Sequence, residues 1–215
     1  MRDVFPGYDV LNKRDTPSWN EQTRAVIERR LAITDEPRFF VAREWAVLKA
    51  LCARIVPQPE GRASPVPVAA MVDRKALEDA RDGFRHTDLP ALGEAWRRGL
   101  AALDAEAQSA DGASFDALAP ERQDALIRAM EGGSLKHAAW GGMPCELFFR
   151  MRVIPDVVKS YYAHPTAWSE IGFGGPASPR GYVRMDFDAR DPWEAAEAKP
   201  GQENEALREN LRVGR

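Results

Sequence analysis

The stretch RFFVAREWAVLKALCARIV, residues 38–56, decides the fold class. Phe39, Phe40, Ala46, Val47, Ala50, Leu51 and Ile55 recur at steps of three and four, which wraps a wide apolar face around a helix that ends before Pro57. The same period returns downstream. Val68 to Phe84 aligns Met71, Val72, Ala76, Leu77 and Ala80 after Pro65 and Pro67, and Leu89 to Gln108 aligns Leu92, Trp96, Leu100 and Leu103 with Pro90 at a tolerated first-turn position. Pro120 and Glu121 suit the start of a helix that runs to Glu131, where Gly132 and Gly133 stop it. Met143 to Tyr162 is the most apolar helix, and Pro155 removes one of its backbone hydrogen bonds and predicts a kink. A more polar helix, Trp19 to Ile33, precedes them all. Period-two alternation is nearly absent, so the reading is all-α. It comprises an N-terminal extension over 1–18 and a single-domain helical bundle over 19–162.

Beyond the bundle the pattern changes. Prolines and glycines break any period over residues 163–193, which predicts an extended, irregular Gly/Pro/aromatic arm. Residues 194–215 (EAAEAKPGQENEALRENLRVGR) form a highly charged tail that is either a frayed helix or disordered.

Composition narrows the function classes. The chain has 215 residues, enough for a sizeable core without disulfide or metal staples. A net charge of −3 offers no basic field for phosphates, which argues against a nucleic-acid partner. The apolar run Met143 to Tyr162 carries Glu146, Arg150, Arg152, Asp156 and Lys159, too many charges for a membrane span. The opening residues MRDVFPGYDVL are too polar for a signal-peptide core and contain no twin arginine, so the expected location is cytoplasmic, or periplasmic through co-export with a partner. Cys52 and Cys145 each sit in an apolar helical pattern and suit core thiols, with a disulfide between them as the alternative. They have no CxxC spacing, and His86, His137 and His164 are scattered, so no metal site is read.

No complete catalytic constellation emerges. His164, Ser169 and Glu170 supply imidazole, hydroxyl and carboxylate, but groups so close in sequence rarely converge into a triad, and no GxSxG surrounds the serine. Gly172 to Ala177 formally matches GxGxxG/A. That fingerprint needs a strand before it and a helix after it, whereas here a helix precedes and Pro176 and Pro179 follow. The last third is aromatic-rich, with Trp140, Tyr161, Tyr162, Trp168, Phe173, Tyr182, Phe187 and Trp193, and the arm carries Arg180, Arg184 and Arg190. Such residues either pin an arm to its own bundle or act as anchors in a partner's surface.

The run YYAHPTAWSEIGFGGPASPRGY, residues 161–182, resembles the gluconate 2-dehydrogenase subunit 3 family. Looser similarity extends through Trp45–Pro57, Gly99–Asp104, and Phe115–Leu118 with Gln123, so that residues 39–185 are covered. The resemblance implies a mostly helical, non-catalytic small subunit that binds a large flavoprotein of the glucose-methanol-choline (GMC) type. In that family the large subunit holds FAD and oxidises a sugar or polyol, the small one supports its folding, stability or export, and some members sit with a cytochrome subunit. No cofactor is then expected in this chain. The expected partner-binding residues are His164, Pro165, Trp168, Glu170, Phe173, Gly174, Gly175, Pro176, Pro179, Arg180, Tyr182, Arg184 and Trp193. The alternatives are a free-standing helical binding or scaffold protein, and a small-molecule enzyme using His164 and Glu170 as base and acid.

Overall fold

The computed structural model describes residues 3–80, 83, 85–176 and 193–213. Among them the regular elements are all helical and no strand occurs, so the protein is all-α. The helices are α1 (Glu21–Leu31), α2 (Ala42–Ile55), α3 (Val68–Leu77), α4 (Leu92–Asp111), α5 (Pro120–Glu131), α6 (Cys145–Phe148), α7 (Ile154–Ala163), α8 (Pro165–Glu170) and α9 (Glu203–Asn210). Their packing gathers into two compact units. A central unit comprises Thr34–Ala63 and Pro67–Tyr161, and a terminal unit comprises Met1–Ile33, Ser64–Val66 and Tyr162–Arg215. The helix read at Trp19–Ile33 therefore groups with the two chain ends.

In the central unit, some helix ends follow the sequence features and others depart from them. Pro120 occupies the first turn of α5, as its fixed φ and missing N–H allow. At the other end of α5, Gly133 takes φ +70° and Ser134 N–H reaches back to Ala129 O at 3.0 Å, which closes the helix. Helix α3 stops at Leu77 rather than continuing to Phe84, because Asp79 turns left-handed at φ 46° and Ala80 N–H closes on Lys75 O at 3.1 Å. Pro90 precedes α4 and its N-cap Ala91 instead of lying in the first turn. The irregularity expected at Pro155 takes the form of a π-helical turn, Phe149–Val153, between α6 and α7. Ile154 N–H there reaches five residues back to Phe149 O, so the ladder widens just before the residue with no N–H to donate.

Two buried carboxylates organise this unit. Asp73 on α3 is 1% exposed and accepts the backbone N–H groups of Arg38, Phe39 and Phe40 at 2.9–3.1 Å, which fixes the chain leading into α2. Asp156 on α7, also 1% exposed, accepts from Lys75 Nζ at 2.6 Å and from Trp96 Nε1 at 2.8 Å, and so ties α7 to α3 and α4. Trp96 packs edge-on against Phe148, with ring centroids 5.4 Å apart, and Phe148 lies over Gly99. On the surface, Arg54 grips Asp124 through two bonds of 2.7 Å, joining α2 to α5.

Cys52 and Cys145 are buried free thiols. Burial pushes the Cys52 thiol far above its ordinary range, with Asp35 adding to the shift, and burial likewise raises Cys145. A thiol whose folded pKa is raised contributes stability below its unfolded pKa, and that contribution is lost as pH rises beyond it. Stability should therefore fall with alkaline pH above the ordinary thiol range of roughly 8.5, and Cys52→Ala should flatten that slope in denaturant titrations run across pH. In native protein a thiol-specific chromophoric reagent should react with neither cysteine until denaturant is added.

Gly99 offers a second test. A Cβ there would run into the ring of Phe148, which is 0% exposed and wedged against Trp96 and Trp140, so no flexible end can yield. Alanine favours a helix interior by about 1 kcal/mol over glycine, while overpacking costs about 1–3 kcal/mol. Gly99→Ala should therefore be net destabilising in chemical unfolding.

Candidate functional site: the motif turn of the terminal unit

The described start of the arm is not extended. His164 and Pro165 open a short helix, α8. His164 has extended backbone, and its Nδ1 accepts the Thr166 N–H at 3.3 Å, capping the helix whose first residue is Pro165. The C-terminus is closed by a Schellman motif. Gly172 takes φ +64°, Phe173 N–H donates to Trp168 O at 2.9 Å, and Gly172 N–H donates to Ser169 O at 3.4 Å. The hydrophobic contact that accompanies such a cap is present as well: the Phe173 ring stands edge-on to Trp168, centroids 5.5 Å apart. The spacing Trp168-x-x-x-Gly172-Phe173 is thus a helix terminator with its own packing pair. The strand-turn-helix of a dinucleotide fingerprint is not there, since α8 precedes Gly172 and ends at it.

The chain ends meet this turn within the terminal unit. Ser169 Oγ accepts the Val10 N–H at 3.1 Å, and Lys13 Nζ donates to the Gly174 carbonyl. A Cβ on Gly172 would lie 2.5 Å from the Phe5 ring, and one on Gly175 would lie 2.9 Å from Trp168 and 3.1 Å from Trp19. Trp168 Nε1 donates to Tyr162 O at 2.7 Å, while Arg30 donates to Ala163 O at 2.9 Å and lies 5.9 Å from the Trp168 ring centroid. Trp168 belongs to a buried cluster with Tyr8, Val10, Trp19, Ile27, Ala195 and Val213. Burial raises the Tyr8 phenol well above its ordinary range, with Glu194 and Asp9 adding, and its hydroxyl donates to Trp193 O at 3.4 Å.

The charged tail contains a helix, α9, and is tied in by Asn210, which is 0% exposed. Its Oδ1 accepts Ala196 N–H at 2.7 Å, and its Nδ2 donates to Ala196 O and Pro6 O, each at 3.0 Å. Val4 O accepts the Ala198 N–H at 2.8 Å, so the two chain ends are bonded to one another.

The residues expected to face a partner divide by burial. His164, Pro165, Trp168 and Gly175 are buried in the terminal unit, Gly174, Pro176 and Trp193 are half-buried, and Glu170 and Phe173 are exposed. Pro179, Arg180, Tyr182 and Arg184 lie outside the described residues, as does Arg190. Ile171, at 47% exposed, and Tyr162, at 43%, join Phe173, at 38%, as large apolar side chains open to solvent on this stretch. The candidate set omitted Ile171, and it also omitted Phe5, Tyr8, Val10, Lys13, Trp19 and Arg30, which hold the turn, and Asn210, which ties the two chain ends together. The available signal was slight: the aromatics of Phe5-Pro-Gly-Tyr8 in a short stretch treated as an extension, and one asparagine in a charged run. Among the described residues no group of three or more His, Cys, Asp or Glu side chains could hold a metal ion, and no helix is long and apolar enough to cross a membrane.

The sequence model of gluconate 2-dehydrogenase subunit 3 matches residues 42–175, more than half of the chain and ending within the motif turn. The chain belongs to the gluconate 2-dehydrogenase subunit 3 family. By its description, members of this family are one subunit of a multi-subunit enzyme. No curated protein and no solved structure matches the chain. The family stretch covers α2 to α8, whereas the strap Phe5–Lys13, Trp19 and α1, which hold its C-terminal turn, lie outside it, as does α9.

Gly172→Ala tests whether this turn supports the terminal unit. The substitution puts an L side chain at positive φ, costing roughly 1–2 kcal/mol, and drives a Cβ against Phe5. Thermal unfolding should shift down, accompanied by a changed tryptophan emission spectrum from the Trp168 and Trp19 environment.

Proposed function

We propose that this chain is the non-catalytic small subunit of a flavin-dependent sugar or sugar-acid dehydrogenase. It binds and stabilises a large GMC-type subunit that holds FAD, or assists that subunit's folding or export. The family match over residues 42–175, with its description as a subunit, carries the reading. Tyr162, Ile171 and Phe173 support it, because they give the motif stretch large apolar side chains that a partner surface can cover. A cytochrome subunit that accepts electrons fits the same assembly. The complex then works in the cytoplasm, or in the periplasm after co-export on its large subunit.

The enzyme reading gains nothing from the arrangement at His164 and Glu170. The His164 Nδ1 is engaged by the Thr166 amide in a buried cap, while Glu170 stands exposed at the far end of α8. The scaffold reading is separated from the subunit reading by experiment. The tagged chain, purified from cells that also express the genes beside its own, should carry a stoichiometric large polypeptide with flavin absorbance and sugar dehydrogenase activity. A colourless, monomeric product would overturn stable association and leave a transient chaperone or a scaffold.

A further inference from the structure

The inward side of the motif turn is met at successive points by one N-terminal strap: Phe5 against Gly172, Val10 N–H on Ser169 Oγ, Lys13 Nζ on Gly174 O, and Trp19 against Gly175. The outward side carries Ile171 and Phe173, both exposed. We propose that this strap, with Lys13 as its positioning residue, sets the geometry in which Ile171 and Phe173 meet the large subunit. The inference rests on the subunit reading and adds that residues outside the family stretch govern recognition.

Three observations carry it. The strap crowds each motif glycine: a side chain at 172 would strike Phe5, one at 175 would meet Trp19 as well as Trp168, and one at 174 would come within 3.3 Å of Lys13 Nζ. Lys13 is only 3% exposed, and an ammonium is not withdrawn from water to that degree without a committed acceptor such as the Gly174 carbonyl. Tyr8 adds to the strap's hold on the turn: its hydroxyl donates to Trp193 O at 3.4 Å and would lie 4.0 Å from a Cβ on Gly174.

The test compares wild type, Lys13→Met, which keeps the stem and removes the ammonium, Lys13→Arg, which keeps a cation, and Tyr8→Phe. Amide exchange is followed in the isolated chain, and affinity is measured for the flavoprotein subunit recovered with the wild-type chain. Lys13→Met should speed exchange at Gly172 and Phe173 while α4 and α5 stay protected. It should also weaken affinity on the order of tenfold, with Lys13→Arg restoring most of it. Tyr8→Phe should shift both readouts in the same direction by less. If Lys13→Met does not fold, Gly174→Ala perturbs the same contact from the turn's side. Unchanged exchange overturns the proposal, and so does faster exchange with unchanged affinity, which would leave the strap a purely structural element. If the wild-type chain retains no flavoprotein, the subunit reading falls and takes the recognition claim with it, while the exchange data still decide whether the strap orders the turn.

Discussion

The buried carboxylate of Asp156 is the constraint around which the central unit is arranged. A carboxylate at 1% exposure is stable only with partners of good geometry, and it has an ammonium from α3 and an indole N–H from α4. Satisfying it fixes where Lys75 and Trp96 stand. Trp96 in turn sets the edge-on position of Phe148, and Phe148 needs the bare backbone of Gly99. The π turn between α6 and α7 belongs to the same chain of dependence. It sits immediately before Ile154 and Pro155, and Asp156 follows them. Apolar burial supplies most of the stabilisation here, but it has no direction, and the polar contacts choose the arrangement.

Helices α3, α5 and α8 end by the same device, a residue at positive φ followed by an amide that reaches back five positions. Gly133 and Gly172 adopt this conformation without cost, whereas Asp79 adopts it as a non-glycine residue. The Gly-Phe-Gly-Gly sequence therefore has a structural account at each position. Gly172 ends a helix, Phe173 packs back on Trp168, Gly174 accepts Lys13, and Gly175 lets Trp168 and Trp19 approach. Burial differs along this one stretch: Trp168 and His164 are buried, and Ile171 and Phe173 are exposed, Phe173 while still packing edge-on against Trp168.

The sequence by itself determined the helical class and most of the central unit. The three-and-four period is a local property that survives any packing, and proline and glycine act on their own backbone, so α2 and α5 were legible, and Pro155 marked where the helical ladder turns irregular. The resemblance to the family rested on residues 161–182, of which the matching family model reaches residue 175; within that part a helix cap, a terminator and close-approach glycines account for the residue types at their spacing. Tertiary structure alone decided what those residues touch. Residues 1–18 and 194–215 show no apolar period, and the described ones are held by a shared buried cluster and by bonds to segments distant in the chain, such as Tyr8 to Trp193 and Asn210 to Pro6. It also decided that Asp73 and Asp156 are interior ligands for N–H groups rather than solvated charges. A carboxylate's partners lie more than thirty residues away in these cases, and no local pattern encodes a contact at that distance.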